Sequence, residues 1–293
     1  MFRFCFLLLF TAGTFVLHAQ FASDSILIEG HYRSFHYEQP TAEIKNDVLV
    51  FIMHGSGGNG LQMTEPAKHL QAEAERMHFL LVYPDGYKNY WNECRKNATS
   101  LANKEDINEQ AFFSGMMSYF HTKFQTTTKQ FFAIGLSGGG HMAYKLAMTM
   151  PEQCKGITAV VANVPDTLNL DCAEAHKAVS VMIANGTKDN LNKYDGGDII
   201  LNGKNWGAVR STDRSFHYWA SLAGYKGEPV KDELPDPDPA NGQTITRYTY
   251  REKSKPAVVL LKVNGGEHAF PKDVDIFVEA GKFFKEEQKR LKN

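Results

Sequence analysis

Ser137 stands in Gly135-Leu136-Ser137-Gly138-Gly139-Gly140, between a run that reads as strand and a run of helix formers. Gly135, Ser137 and Gly139 spell G-x-S-x-G, a pattern in which a sharp strand-to-helix turn lifts a serine hydroxyl above a sheet. Glycines suit that turn because side chains on either side would block it. A free serine hydroxyl is a poor nucleophile; it needs an adjacent base, and the base needs a group to orient it. For acyl transfer from such a turn, the partners follow in chain order, acid and then histidine, on loops at the carboxyl ends of strands. Of 11 histidines, only His176, His217 and His268 lie well beyond Ser137. His217 falls inside the helical pattern "RSFHYWASL", and His176 precedes the best acid candidate. His268, in "KVNGGEHAFP" just past the last strand, is the expected base. Asp189, which follows the buried run in "VSVMIANGTKD", is the expected acid, with Asp166 in "ITAVVANVPD" as the alternative.

Acyl transfer also needs donors for the oxyanion of a tetrahedral intermediate. One is the backbone N–H of the residue after the nucleophile, and the other comes from a loop after an earlier strand. Gly138 fills the first place, and in "FIMHGSGGNG" the glycine-rich loop after His54 can bring the Ser56 N–H to the second. His54 is read as ordering that loop rather than titrating in catalysis. A phosphate cradle would need a following Lys-Ser/Thr pair or G-x-G-x-x-G spacing, and neither occurs. H-E-x-x-H is absent too, so neither a metal nor a cofactor is expected.

The elements that must position these residues alternate. "ILIEGHYRSFHYE" reads as a pair of exposed strands, and "DVLVFIMHG" as a strand buried on both faces. "TEPAKHLQAEAERM" reads as a helix capped by Thr64, "FLLVYPDG" as strand and "EDINEQAFFSGMMSYFHTKF" as helix. "KQFFAIG" leads into the serine turn and its helix. Strands follow at "GITAVVANV", "VSVMIANG" and "AVVLLKVNGG", with helices at "STDRSFHYWASLAG" and "VDIFVEAGKFFKEEQKRL". Such alternation predicts an α/β fold with a mostly parallel central sheet and helices on both faces. "LPDPDPANG" reads as a surface loop within one domain, and "KDEL" at 231–234 is no retrieval signal away from a C-terminus.

The chain has 293 residues, a net charge of -1 and no basic block, so nucleic acid is not an expected partner. "MFRFCFLLLFTAGTFVLHAQ" has the layout of a secretory signal peptide over residues 1–19, leaving 20–293 as an exported, secreted or periplasmic domain without membrane attachment. Cys94, Cys154 and Cys172 then remain. Cys154 adjoins a β-branched run and reads as a small buried hydrophobe, whereas Cys94 and Cys172 lie in loops and are the better disulfide pair.

From about Val48 to the closing helix the chain resembles the secreted esterases of carbohydrate esterase family 1, with their feruloyl, acetyl-xylan and polyhydroxybutyrate depolymerase-like members. "HGSGGNG", "YPDG" followed by "WN", "GLSGGGHMA", "NGTKD" with "YDGG" after it, and "GGEHAFP" carry the resemblance. It implies an α/β-hydrolase fold, a triad of Ser137, Asp189 and His268, and a carboxylic ester as substrate, either small or linked to polysaccharide. Two stretches depart from the commonest pattern: Asn185-Gly186-Thr187 where His-Gly-Thr is frequent, and Ala269-Phe270 where Thr-Trp is common. Tyr87, Tyr90 and Trp91, after "YPDG", and Trp206, in what reads as a long loop after Asp189, are expected to offer flat surfaces to substrate. A polyester hydrolase and a non-catalytic glycan-binding relative are the alternative readings.

Overall fold

Every residue of the strand Val48–Met53 is buried, and successive side chains enter opposite cores. Leu49, Phe51 and Met53 join one hydrophobic cluster; Val48, Val50 and Ile52 join the other. That is why the run is continuously apolar: a strand covered on both faces has no solvent side. The structure, a computed structural model, describes residues 21–39, 48–126 and 129–290. The leader expected at 1–19 lies outside them.

In chain order the strands are β1 (Phe21–Ile28), β2 (His31–Glu38), β3 (Val48–Met53), β4 (Phe79–Pro84), β5 (Phe131–Leu136) and β6 (Cys154–Val160). They continue as β7 (Ser180–Gly186), β8 (Gly197–Leu201), β9 (Lys204–Val209), β10 (Val230–Glu233), β11 (Thr244–Tyr250) and β12 (Val258–Asn264). The helices are α1 (Lys68–Met77), α2 (Leu101–Lys104), α3 (Glu109–Phe124), α4 (Gly138–Thr149), α5 (Thr212–Leu222) and α6 (Ile276–Arg290). One 10-stranded sheet runs β1-β2-β4-β3-β5-β6-β7-β12-β11-β10. The pairs from β4 to β12 are parallel, while β1, β2, β10 and β11 extend the two edges antiparallel. Helices α3, α4 and α5 pack into the first cluster, and α1 and α6 into the second, where Phe132 stacks on Phe284 at 4.5 Å. All the candidate loops leave the same, carboxyl, edge of the parallel strands.

Four local expectations change. Thr64 does not cap α1, which starts later; its hydroxyl donates to Leu61 O at 2.8 Å and closes a short 3-10 turn, Gly60–Met63. Asn59 caps that turn in a reciprocal box with Gln62, which anchors the far end of the glycine-rich loop. β2 is not exposed, because Phe35 and Tyr37 pack in the core beside Phe120 of α3. Trp206 lies not in a loop but on β9, in a separate two-stranded sheet with β8. That hairpin turns at Asn202-Gly203, both at positive φ (51° and 72°), and Asn-Gly between strand-like runs is its sequence signal. "KDEL" falls in and just after β10, which pairs with β11, a strand absent from the element reading above.

Cys94 and Cys172 are joined as a disulfide, their Cα atoms 5.1 Å apart across a separation of 78 residues. Among the described residues Cys154 is the free thiol, buried at the start of β6, and burial pushes it up to about 12.

Candidate active site

Ser137 sits between β5 and α4 with φ 52° and ψ -112°, a conformation that L side chains ordinarily avoid. Such strain generally costs about 1–3 kcal/mol and persists only where the surroundings enforce it. Here the Ser137 N–H donates to Val160 O at 2.9 Å, and Ser137 O accepts the His141 N–H at 3.0 Å. The flanking glycines are required by contact. A methyl at Gly135 would stand 2.0 Å from Gly139 O, and one at Gly139 would stand 2.5 Å from Met53 O. Only a helix start without side chains can come this close to β3 and β5.

His268 Nε2 lies 2.9 Å from Ser137 Oγ, and His268 Nδ1 lies 2.7 Å from Asp189 Oδ2. The Asp189 carboxylate is wholly buried, and its Oδ1 accepts the N–H groups of Leu191 and Asn192, each at 2.8 Å. A carboxylate only accepts, so His268 Nδ1 carries the proton and Nε2 turns its lone pair toward the serine. The two loops that present this pair are stitched together. Lys188 N–H donates to Gly266 O at 2.7 Å, Thr187 N–H to Val263 O at 3.0 Å, and Gly265 N–H to Thr187 Oγ1 at 2.9 Å. Asp166, the alternative acid, turns instead to Arg214 at 3.3 Å. Asn185, one of the departures noted above, bonds Ala162, Asn163 and Thr212 and so braces the loop after β6 against α5.

The loop after β3 is held on every side. Gly86 N–H donates to His54 Nε2 at 2.9 Å, so Nε2 is unprotonated, and Nδ1–H donates to Gly55 O at 2.7 Å. The Gly58 N–H adds a second bond to Gly55 O at 3.0 Å. In a trans peptide the N–H points opposite to the carbonyl, so fixing Gly55 O directs the Ser56 N–H away from His54. A methyl at Gly55 would touch Ser137 Cβ at 3.5 Å, and one at Gly138 would lie 3.0 Å from Ser56 N. The Ser56 and Gly138 backbones therefore flank Ser137. Asp85 binds the far end of the loop: Oδ1 accepts the Gly60 N–H at 2.7 Å, while Oδ2 accepts from Ser34 at 2.8 Å and His36 at 3.1 Å. Burial alone would raise this carboxyl, but those bonds outweigh it and hold Asp85 at about 2. Asn89 completes the clamp, with its carbonyl accepting from Gly57 N and its side chain donating to Gly58 O. Sequence reasoning passed over Asp85 and Asn89, whose only signal is their place in and just after "YPDG".

Burial pushes His54 below the usual histidine value, although its bond to Gly55 and the nearby Asp85 oppose this. His141, one helical turn past Ser137, is lowered further by burial and by the positive charge of Arg95; among the described residues its Nδ1 has no partner.

The aromatic residues divide. Trp91 is only 2 % exposed, donates from Nε1 to His54 O at 2.9 Å, and packs its ring 4.9 Å from that of His54. It supports the loop and offers no face to a ligand, contrary to expectation. Tyr87 bonds Glu105 at 2.8 Å and packs edge-on against His31. Trp206, 6 % exposed, stacks on Tyr90 at 6.1 Å and carries Arg95 over its ring at 5.1 Å. The Tyr90 hydroxyl reaches the glycine-rich loop, 3.8 Å from where a Gly57 methyl would stand. Among the described residues no group of three or more His, Cys, Asp or Glu side chains could share a metal ion.

A sheet of this order, with a strained serine between its β5 and α4, defines an α/β-hydrolase fold. Known proteins of that fold are similar to the chain. An acetyl xylan esterase from Aspergillus awamori superposes with a TM-score of 0.58 at 14% identity, over 89% of this chain and 99% of its own. A Thermoplasma acidophilum protein named, by prediction, a CIB-like hydrolase superposes with a TM-score of 0.51 at 13% identity, over 92% and 100%. In sequence, NocK of Nocardia uniformis subsp. tsuyamanensis, provisionally named an esterase, is 25% identical over 231 residues. That match spans 76% of this chain and 65% of NocK. No family model matches the chain.

Proposed function

We propose that the protein is a serine esterase of the carbohydrate esterase family 1 type, which cleaves carboxylic esters through an acyl-enzyme intermediate. One observation carries the reading: Ser137 Oγ, His268 and the buried Asp189 form a continuous hydrogen-bonded chain beside the Ser56 and Gly138 backbones. Ser137 Oγ attacks the ester carbonyl while His268 Nε2 takes its proton, and the N–H groups of Ser56 and Gly138 bind the oxyanion. His268 then gives the proton to the leaving alkoxide, and the alcohol departs. Water, deprotonated by His268, attacks the acyl-serine, and the acid departs as His268 returns that proton to Ser137 Oγ. Asp189 keeps the imidazole in the required tautomer throughout.

The substrate class is a feruloyl or acetyl ester of plant-wall polysaccharide. The motifs "HGSGGNG" and "GGEHAFP" support this, as does the half-buried Tyr90 beside the glycine-rich loop. The leader pattern supports export, and the disulfide fits an oxidising compartment. No helix among the described residues is long and apolar enough to cross a membrane. Hydrolysis of methyl ferulate, an aryl acetate and hydroxybutyrate oligomers by the purified protein tests the assignment. The feruloyl or acetyl ester should be turned over fastest. Faster cleavage of the oligomers would make the protein a polyester hydrolase, and no hydrolysis at all would favour a glycan-binding relative.

A further inference from the structure

In Gly55-Ser56-Gly57-Gly58 only Ser56 has a side chain. Glycine would supply the same backbone N–H, so the hydroxyl calls for its own explanation. A serine in a glycine-rich turn ordinarily spends its hydroxyl on the nearby backbone. Ser56 does not: among the described residues its Oγ has no hydrogen-bond partner. The hydroxyl instead leans over Gly138. A methyl there would stand 2.5 Å from Ser56 Oγ, nearer even than the 3.0 Å to Ser56 N. Gly138 must lack a side chain for the Ser56 oxygen to occupy this place, so the two residues fit only as a pair. The hydroxyl and the N–H of Ser56 thus border the residue whose own N–H is the other oxyanion donor. Clamped by His54 and Gly58, the Gly55–Ser56 peptide does not swing away, and only rotation about the Ser56 side-chain bond is needed to aim the hydroxyl.

We propose that the Ser56 hydroxyl is a third hydrogen-bond donor to the oxyanion, a role that rests on the esterase reading above. When Ser137 Oγ bonds to the carbonyl carbon, the carbonyl π pair moves onto oxygen. The Ser56 O–H donates to that oxygen while keeping its proton, and no bond to Ser56 forms or breaks. When the intermediate collapses the charge leaves and the hydrogen bond weakens. Ser56 therefore favours the transition state over the bound ester, and its removal should appear in kcat rather than in KM.

The test compares Ser56→Ala and Ser56→Thr with the parent on one aryl acetate. It adds the affinity for phenylboronic acid, whose tetrahedral adduct with Ser137 places an oxygen in the same position. Loss of one oxyanion donor generally lowers kcat about 100- to 1000-fold. With two backbone donors left in place, Ser56→Ala should lower kcat about 10- to 100-fold, with KM within about threefold of the parent. Boronic acid affinity should fall in proportion to kcat/KM, and Ser56→Thr, which keeps the hydroxyl, should recover most of the rate. Unchanged kcat in Ser56→Ala, equal losses in both variants, or a loss confined to KM would each overturn the proposal. Activity lost in Ser137→Ala but kept in Ser56→Ala would sink it and leave the esterase reading standing. Activity kept in both would sink that reading as well.

Discussion

Ser137 holds a strained backbone angle, and its hydroxyl meets His268 Nε2 at 2.9 Å. Replacing it with alanine should lower ester hydrolysis by about four powers of ten or more without unfolding the protein, as kcat and circular dichroism would show. Asp189→Asn would donate toward His268 and hold the wrong tautomer, at a loss of about 10³- to 10⁴-fold. Asp166→Asn should change the rate little, since Asp166 faces Arg214; the opposite ranking would move the acid to the earlier strand. Trp91→Ala should lower kcat for a feruloyl ester and a small acetate alike, because the ring supports His54 and not a substrate. A KM increase confined to the larger ester would contradict that role. The Ser137, Asp189 and His268 grouping was legible because the chemistry imposes residue types, order and strand-end placement. The direction of Trp91 was not, since position after a strand does not tell which face of a ring is covered.

At the scale of elements, the strand β3 and the loop after it do most of the positioning. The loop is fixed less by its own glycines than by neighbours on β2 and beyond β4. Asp85→Ala would leave the Gly60 N–H, Ser34 and His36 without their shared acceptor. It should cost about 1–3 kcal/mol in urea unfolding and lower kcat through a loosened loop. Unchanged stability together with unchanged kcat would show that the tether is dispensable. Across the site, the Cys94–Cys172 bridge ties the segment after Trp91 to the one after β6. Its reduction should remove about 2–4 kcal/mol, measured by unfolding with and without reductant. The buried strands were readable from their continuous apolar runs. The β8–β9 hairpin was not read, although Asn202-Gly203 marks its turn, because its partly exposed strands carry no such run. β10 and β11 are similarly partial in burial and similarly quiet in the sequence.

For the molecule as a whole, pH enters through groups the fold keeps uncharged. His54 and His141 are both pushed below the ordinary histidine value, chiefly by burial. In the unfolded chain each titrates near about 6.5, so below that pH the unfolded state binds protons that the native state refuses. Stability should therefore fall as pH drops through this range, by up to about 1.4 kcal/mol per pH unit for each. Asp85 acts in a lower window with the same sign. Its contribution is complete above about pH 4 and lost as pH falls through about 2. Urea unfolding between pH 8 and 5 should show the decline, and His141→Gln should flatten it. A slope unchanged by that substitution would assign it elsewhere. Catalysis should weaken together with stability, since a protonated His54 would set an Nε2–H donor against the Gly86 N–H and break that hold between the loops. The central claim is that this whole arrangement activates one serine. Fluorophosphonate labelling of the intact protein, followed by peptide mapping, tests it most directly. A single adduct on Ser137, lost in His268→Ala, is the predicted result, whereas no adduct, or labelling at another serine, would contradict it.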